Sequence, residues 1–162
     1  MELLKLTLLF SFYKVFWEDF KHRLVYWFWF PIIAVCSGFL LFQAVGFISF
    51  FKYLVFNIGF IAILHLIIWA YALLKLKMPL RSVFGLGDTL FLVSLSFGFV
   101  TTSFMVLLIF GLLFSLICHL IFSRKTPSEN VPLAGWLSLF FGVAHVLYWF
   151  RVFSFDLNTV IW

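Results

Sequence analysis

The chain has 162 residues, of which 65% are hydrophobic and only 10% charged, and its mean hydropathy is +1.19. This composition excludes a soluble globular protein, because there is too little polar surface to cover a water-facing exterior. The net charge of +5 is typical of a membrane protein whose cytoplasmic loops collect Lys and Arg, so it indicates no nucleic-acid partner. The length predicts one domain, residues 1–162.

Six apolar segments follow one another along the chain, and we predict that they form about six transmembrane helices. They cover residues 3–17, 24–45, 53–74, 88–99, a fifth stretch up to about 122, and 131–150. The first is short for a span, which needs about 20 residues, and a polar cluster at 18–23 follows it. A short connection at 46–52 separates the second segment from the third. The predicted fold is therefore an all-α polytopic membrane protein.

The connections between the segments alternate between the two sides of the membrane. One side carries eight of the eleven Lys and Arg residues, so the positive-inside rule makes it cytoplasmic and puts both termini outside. Asp19 and Asp88 both fall on this cytoplasmic side, each beside a membrane boundary. The segment containing Asp88 opens the fourth helix.

Two carboxylates at one face of a membrane indicate a paired-acid mechanism. Two neighbouring acids cannot both ionise cheaply, so one keeps its proton and the pair titrates as a unit. In aspartic proteolysis the ionised acid takes a proton from water while the protonated acid polarises the peptide carbonyl. We therefore predict that Asp19 and Asp88 form a catalytic pair.

Gly85 and Gly87 stand just before Asp88. Glycine permits close backbone approach and unusual dihedral angles, which would let this segment turn, lie against the helix that carries Asp19, or leave room for an extended peptide. The alternative is an ordinary loop-to-helix turn in which Asp88 is the N-cap residue, a common role for Asp.

Three stretches together resemble the type IV prepilin peptidase family of GxGD intramembrane aspartyl proteases. They are the aspartate at 19 with the basic and apolar residues after it, the Gly-Leu-Gly-Asp sequence at 85–88, and residues 131–137, which are similar to the opening of the family's last helix. The order of the three stretches and the predicted topology also fit. The resemblance covers nearly the whole chain.

The resemblance implies a single integral membrane peptidase domain of minimal form, without the zinc and methyltransferase module of larger members. Such a protein cleaves the leader of prepilin-like precursors at the cytoplasmic face of the bacterial inner membrane, with both termini in the periplasm. Its partners would be membrane lipid and the precursor peptide, and no cofactor is implied. The catalytic residues would be Asp19 and Asp88, supported by Gly85, Gly87 and Pro132.

Three positions depart from the family pattern. Val25 and the two residues after it replace the usual Ile-Pro-Asn or Ile-Pro-Asp, Leu90 replaces a lysine, and Gly135 replaces the second proline of the last motif. These differences motivate an alternative, in which the chain is a catalytically inactive, prepilin-peptidase-like subunit of a secretion, pilus or motility complex.

The remaining cysteines and histidines suggest no metal site. Cys36 and Cys118 lie in apolar runs, and no CxxC pair is present. Three histidines lie inside apolar segments: His65, His119 and His145. No two of them share a helix at ligand spacing, so we expect them to form hydrogen bonds between helices instead.

Overall fold

The computed structural model describes residues 1–77, 85–122 and 133–150, which form six helices and contain no strands. The helices are α1 (Glu2–His22), α2 (Trp29–Val45), α3 (Phe47–Tyr71, continued by a π-helical turn Ala72–Leu76), α4 (Leu86–Leu95), α5 (Thr101–Phe122) and α6 (Leu133–Trp149). The all-α class and the six helices agree with the sequence prediction. Two of the helices, α3 with its π-helical turn and α5, are long and apolar enough to cross a membrane.

The first and second helices begin and end elsewhere than predicted. The polar cluster at 18–23 was expected to lie outside the first helix, but α1 continues to His22 and ends at Arg23, whose φ of 56° is left-handed. A single residue, Gly46, separates α2 from α3, so the predicted connection at 46–52 is wrong. Its φ of 77° explains why a glycine stands at this junction.

α4 is unusually short for a helix of such an apolar protein. Its 10 residues reach roughly 15 Å, about half the thickness of a bilayer core. Residues 96–100 then interrupt the helical path before α5 begins. Gly98 lies so close to α2 that an added Cβ would stand 2.7 Å from Ser37 Cβ. This break is packed inside the protein, where non-helical backbone is tolerated even at membrane depth.

α1 and α6 run antiparallel and form the most extensive helix pair. Near one end Lys5 lies over the Trp149 ring, and in the middle Phe12 contacts His145. α2 and α6 flank α1, while α4 packs between α2 and α6. The fully buried core is mostly leucine and phenylalanine, including Leu8, Phe12, Leu92, Phe91, Phe104, Leu137 and Phe141. This packing brings the end of α1, the start of α4 and the start of α6 to one end of the bundle.

Candidate active site

Asp19 lies in the last turn of α1 and faces α6. Its side chain is only 9% exposed, and its Oδ2 accepts a hydrogen bond of 2.6 Å from the Gly135 N–H. The next turn brings the positively charged side chain of Arg23 close enough to stabilise the Asp19 carboxylate. His22, three residues from Asp19 in the sequence, is exposed, and the charge that acts on Asp19 is that of Arg23.

Asp88 lies in the first turn of α4. Its Oδ1 accepts a hydrogen bond of 2.9 Å from the Ala134 N–H, and the carboxylate accepts a second one from the Gly85 N–H. The N-cap residue of α4 is Gly85, so the alternative that made Asp88 the N-cap is wrong. Instead, the Asp88 side chain reaches back across the first turn, as acidic residues at the third helical position often do.

The start of α6 joins the two carboxylates. Consecutive backbone amides, those of Ala134 and Gly135, donate to Asp88 and Asp19 respectively. The free amides and the dipole of a helix N-terminus favour negative charge at this position. Asp88 and Asp19 lie 46 and 116 positions before their hydrogen-bond partners in the sequence. They therefore share one helix end that stabilises negative charge. The segment count predicted that both aspartates lie on one side, and the structure places them at one end of the bundle.

The pKa of both carboxyls is raised. For Asp88 it is raised to about 6, first by burial and second by the negative charge of Asp19, against the hydrogen bonds from Ala134 and Gly85. Burial also raises the pKa of Asp19, against the Gly135 hydrogen bond and the Arg23 charge. Both acids lie at helix ends, outside the two helices that are long enough to cross a membrane. Arg23 opposes the effect of burial at Asp19, whereas the charge of Asp19 adds to the effect of burial at Asp88, so Asp88 is the carboxyl that more readily takes up a proton.

Two glycines leave the space that the carboxylates occupy. A Cβ on Gly135 would lie 3.0 Å from Asp19 Oδ2 and 3.2 Å from Asp19 Cβ, so a side chain there would require α1 and α6 to shift slightly against each other. A Cβ on Gly85 would lie 3.1 Å from Asp88 Oδ2. Sequence reasoning noted Gly135 only as a missing proline. The sequence feature that could have indicated this role is a glycine in the first turn of a helix, where the local backbone does not require one.

Gly87 differs from Gly85. A Cβ on Gly87 would meet no atom within 4 Å, and neither glycine has a positive φ. The prediction that the glycines at 85 and 87 adopt unusual dihedral angles is therefore wrong. Of these two glycines, only Gly85 lies in close contact with an aspartate. Pro132, the third supporting residue predicted, lies outside the described residues.

Leu90 does not face the pair. Its side chain is 46% exposed and shares a helix side with Leu86, whereas Asp88 points towards α6. The position where the family usually has lysine is thus turned outward in this chain.

Glu18 is held away from the pair, as its place beside Asp19 on a helix predicts. Its two carboxylate oxygens accept hydrogen bonds of 3.1 Å from the Tyr26 N–H and the Trp29 Nε1–H. Glu18 therefore fastens the connection between α1 and α2 to the last turn of α1. It is a structural carboxylate next to a candidate catalytic one.

Comparison of the chain with protein-family models, with curated proteins and with solved structures gives no match.

Proposed function

We propose that this protein is an intramembrane aspartyl endopeptidase that uses Asp19 and Asp88 as its catalytic pair. The observation that carries the proposal is that both carboxylates accept hydrogen bonds from consecutive amides of α6. Two acids from helices distant in sequence thereby share a partly buried site. A raised pKa together with a charged partner in such a site is typical of catalytic groups.

The proposed location is the bacterial inner membrane, with the pair at its cytoplasmic face. α3 with its π-helical turn and α5 have mean hydropathies of 2.1 and 2.7, and only 11% and 22% of their most apolar windows are buried inside the protein. Their apolar side chains point outward, which suits contact with lipid rather than the core of a soluble protein. The bias of Lys and Arg supports a cytoplasmic position for the end that carries the aspartates.

The proposed reaction is hydrolysis of a peptide bond by water. The ionised Asp19 accepts a proton from water as the water oxygen bonds to the carbonyl carbon, while the protonated Asp88 donates its proton to the carbonyl oxygen. The tetrahedral intermediate then collapses, the C–N bond breaks, and the leaving nitrogen takes the proton from Asp19. The second hydroxyl proton returns to Asp88, so the pair regains its starting state.

The proposed substrate is the leader of a prepilin-like precursor, on the basis of the sequence resemblance. A precursor of this kind places its cleavage site at the cytoplasmic membrane surface, where the proposed topology puts the pair. The site itself needs no metal or cofactor for this reaction, since two carboxyl groups supply both the base and the acid.

The test is cleavage of a type IV prepilin reconstituted in liposomes with the purified protein, followed by mass spectrometry of the released leader. We expect Asp19→Asn and Asp88→Asn each to lower the cleavage rate by at least about 1,000-fold, since removing one member of a catalytic unit costs this much. Glu18→Gln is the matched control, because it changes an adjacent carboxylate that the site does not use. Normal cleavage by both Asn variants would refute the proposal.

The second candidate function is that of an inactive peptidase-like subunit in a secretion, pilus or motility complex. It is favoured by the departures at Val25 and Leu90 from the family pattern. It predicts that the two Asn variants keep biological function in cells, and that a stoichiometric membrane partner co-purifies with the protein.

A further inference from the structure

Helix α3 holds the short helix α4 at both of its ends. At the far end, Asn57 is fully buried and its Nδ2 donates to Ser96 O at 3.0 Å and to Phe99 O at 2.8 Å. At the near end, His65 Nε2 lies 3.0 Å from Thr89 Oγ1. The near end is also the one that carries Asp88, so the second link lies beside the proposed active site.

The hydrogen positions at His65 follow from its contacts with Ile61 and Thr89. Nδ1 lies 2.9 Å from Ile61 O, and because a carbonyl oxygen only accepts, Nδ1 carries the hydrogen. In the neutral ring Nε2 is then an acceptor and receives the Thr89 hydroxyl. This is the hydrogen bond between helices that the sequence predicted for His65. The contact of Nδ1 with Ile61 O fixes the orientation of the His65 ring. The ring can therefore orient the Thr89 hydroxyl through Nε2.

Thr89 connects His65 to the turn that holds Asp88. The Thr89 N–H donates to Gly85 O at 3.2 Å. The Thr89 hydroxyl lies at the same distance from that oxygen but has a single hydrogen, so when it donates to His65 the Gly85 carbonyl is held by the backbone N–H. The N–H of Gly85 donates to Asp88. Gly85 is thus held through its carbonyl by Thr89 and through its amide by Asp88.

We propose that His65 is a positioning residue for Asp88: it accepts the Thr89 hydroxyl and so holds the residue whose backbone N–H binds the carbonyl of Gly85. The inference rests on the proposed function of the pair. His65 belongs to the long helix α3 and provides a fixed point beside the first turn of α4. By holding Thr89, the histidine keeps the Gly85 amide directed at Asp88 and keeps Asp88 directed at α6.

The experiment compares Thr89→Val, which has the same shape without the hydroxyl, with Thr89→Ser, which keeps it. Prepilin cleavage in liposomes is measured as kcat and KM across pH. For Thr89→Val we expect kcat to fall about tenfold, because misplacement of a catalytic group lowers the rate more than binding, while KM changes less than twofold. In Thr89→Val the hydrogen bond from Gly85 to the Asp88 carboxylate should be weaker, which raises the pKa of Asp88. The alkaline limb of the kcat/KM profile should therefore move to higher pH. Thr89→Ser should behave as the unmodified protein does.

Two further variants separate positioning from support of the fold. His65→Leu should reproduce the effect of Thr89→Val, and the double variant should be no slower than either single one. Asn57→Ser weakens the same helix pair at its far end, so it should lower the melting temperature without moving the alkaline limb.

Two results would overturn the inference. One is a Thr89→Val protein with the kcat and alkaline limb of the unmodified protein; the other is an Asn57→Ser protein whose limb moves as far as that of Thr89→Val. If Asp88→Asn cleaves normally, the proposed function itself fails and this inference fails with it. Loss of cleavage in Asp88→Asn together with an unchanged Thr89→Val would reject the positioning role alone.

Discussion

The end of α1 and the start of α4 present their carboxylates in different ways. Asp19 sits on a 21-residue helix that packs along α6, and its contact with Gly135 depends on how closely those two helices approach. Asp88 sits on a 10-residue helix, and its carboxylate also binds the amide of Gly85 in its own first turn. One acid is therefore placed by packing between helices and the other by the geometry of a turn. The two should respond differently to the same kind of substitution.

Among substitutions around the two carboxylates, the largest effect is expected where α1 and α6 meet. Gly135→Ala places a methyl group 3.0 Å from Asp19 Oδ2 and 3.2 Å from Asp19 Cβ, so the backbone of α1 or α6 has to move. We expect cleavage to fall about 30-fold, less than the roughly 100-fold cost of a 1 Å misplacement in an active site, because contacts of 3.0 and 3.2 Å require only a small shift. Gly142→Ala is the control on the same helix, because its new methyl would lie 3.6 Å from Phe12 Cβ, an ordinary contact. Equal activity of the two variants would contradict placement of Asp19 by close helix packing.

The pH dependence of stability should distinguish Asp88 from an ordinary surface aspartate. Its pKa is about 6 in the folded protein against 3.8 ordinarily, so folding favours the protonated form. The resulting stabilisation is complete below pH 4 and is lost as pH rises through about 6. We expect the unmodified protein to lose about 2 kcal/mol between these pH values, a value reduced for partial exposure of the side chain.

Thermal unfolding in detergent between pH 4 and pH 7 measures this loss. Asp88→Asn should show a weaker dependence but retain some slope, because burial also raises the pKa of Asp19. A slope that is identical in the two proteins would assign the titration to groups other than Asp88.

The turn at the start of α4 should be less sensitive than the contact at Gly135. A methyl group on Gly85 meets the end of the Asp88 carboxyl at 3.1 Å, and a rotatable side chain yields more easily than a helix backbone. We expect Gly85→Ala to lower cleavage about tenfold, equivalent to loss of one capping hydrogen bond. Gly87→Ala should keep full activity, since its methyl enters open space and alanine favours a helix. Cleavage that falls equally in both variants would refute the distinction between the two glycines.

The smallest effect is expected at the structural carboxylate beside Asp19. Glu18→Ala removes the acceptor of the Tyr26 and Trp29 hydrogen bonds, so the connection from α1 to α2 loosens. We expect a loss of about 1 kcal/mol in stability, the usual contribution of such bonds at a partly exposed site. The melting temperature should fall while the cleavage rate at 25 °C stays within about twofold. A drop in cleavage as large as that of Asp19→Asn would place Glu18 in the catalytic unit.

Much of the helical layout could be predicted from local pattern. The apolar segments correspond to six helices, and the count of connections correctly assigned Asp19 and Asp88 to one end of the bundle. The extent of α1 could not be read from the sequence in this way, because the polar residues at 18–22 resemble a loop. They remain helical because Glu18 and Asp19 find hydrogen-bond partners on other segments.

The least predictable part of the site is the start of α6, which supplies the amides that bind both carboxylates. Neither aspartate carries a local sign that its partners are the amides of Ala134 and Gly135, which come from a helix far along the chain. Arg23 was likewise overlooked, because its effect on Asp19 depends on the left-handed backbone that ends α1. The catalytic role of the two aspartates stays a prediction, which the variants above address.

The most direct test of the proposed pair is to follow the titration of the Asp19 and Asp88 carboxyl groups themselves. The chain has three aspartates, so selective ¹³Cγ labelling gives three resonances, of which Asp19→Asn and Asp88→Asn identify two. If the acids form one titrating pair, Asp88 titrates at about 6 in the unmodified protein and at a lower pH in Asp19→Asn, where the neighbouring negative charge is gone. An Asp88 resonance that titrates near 3.8, or at the same pH in both proteins, would contradict the pair.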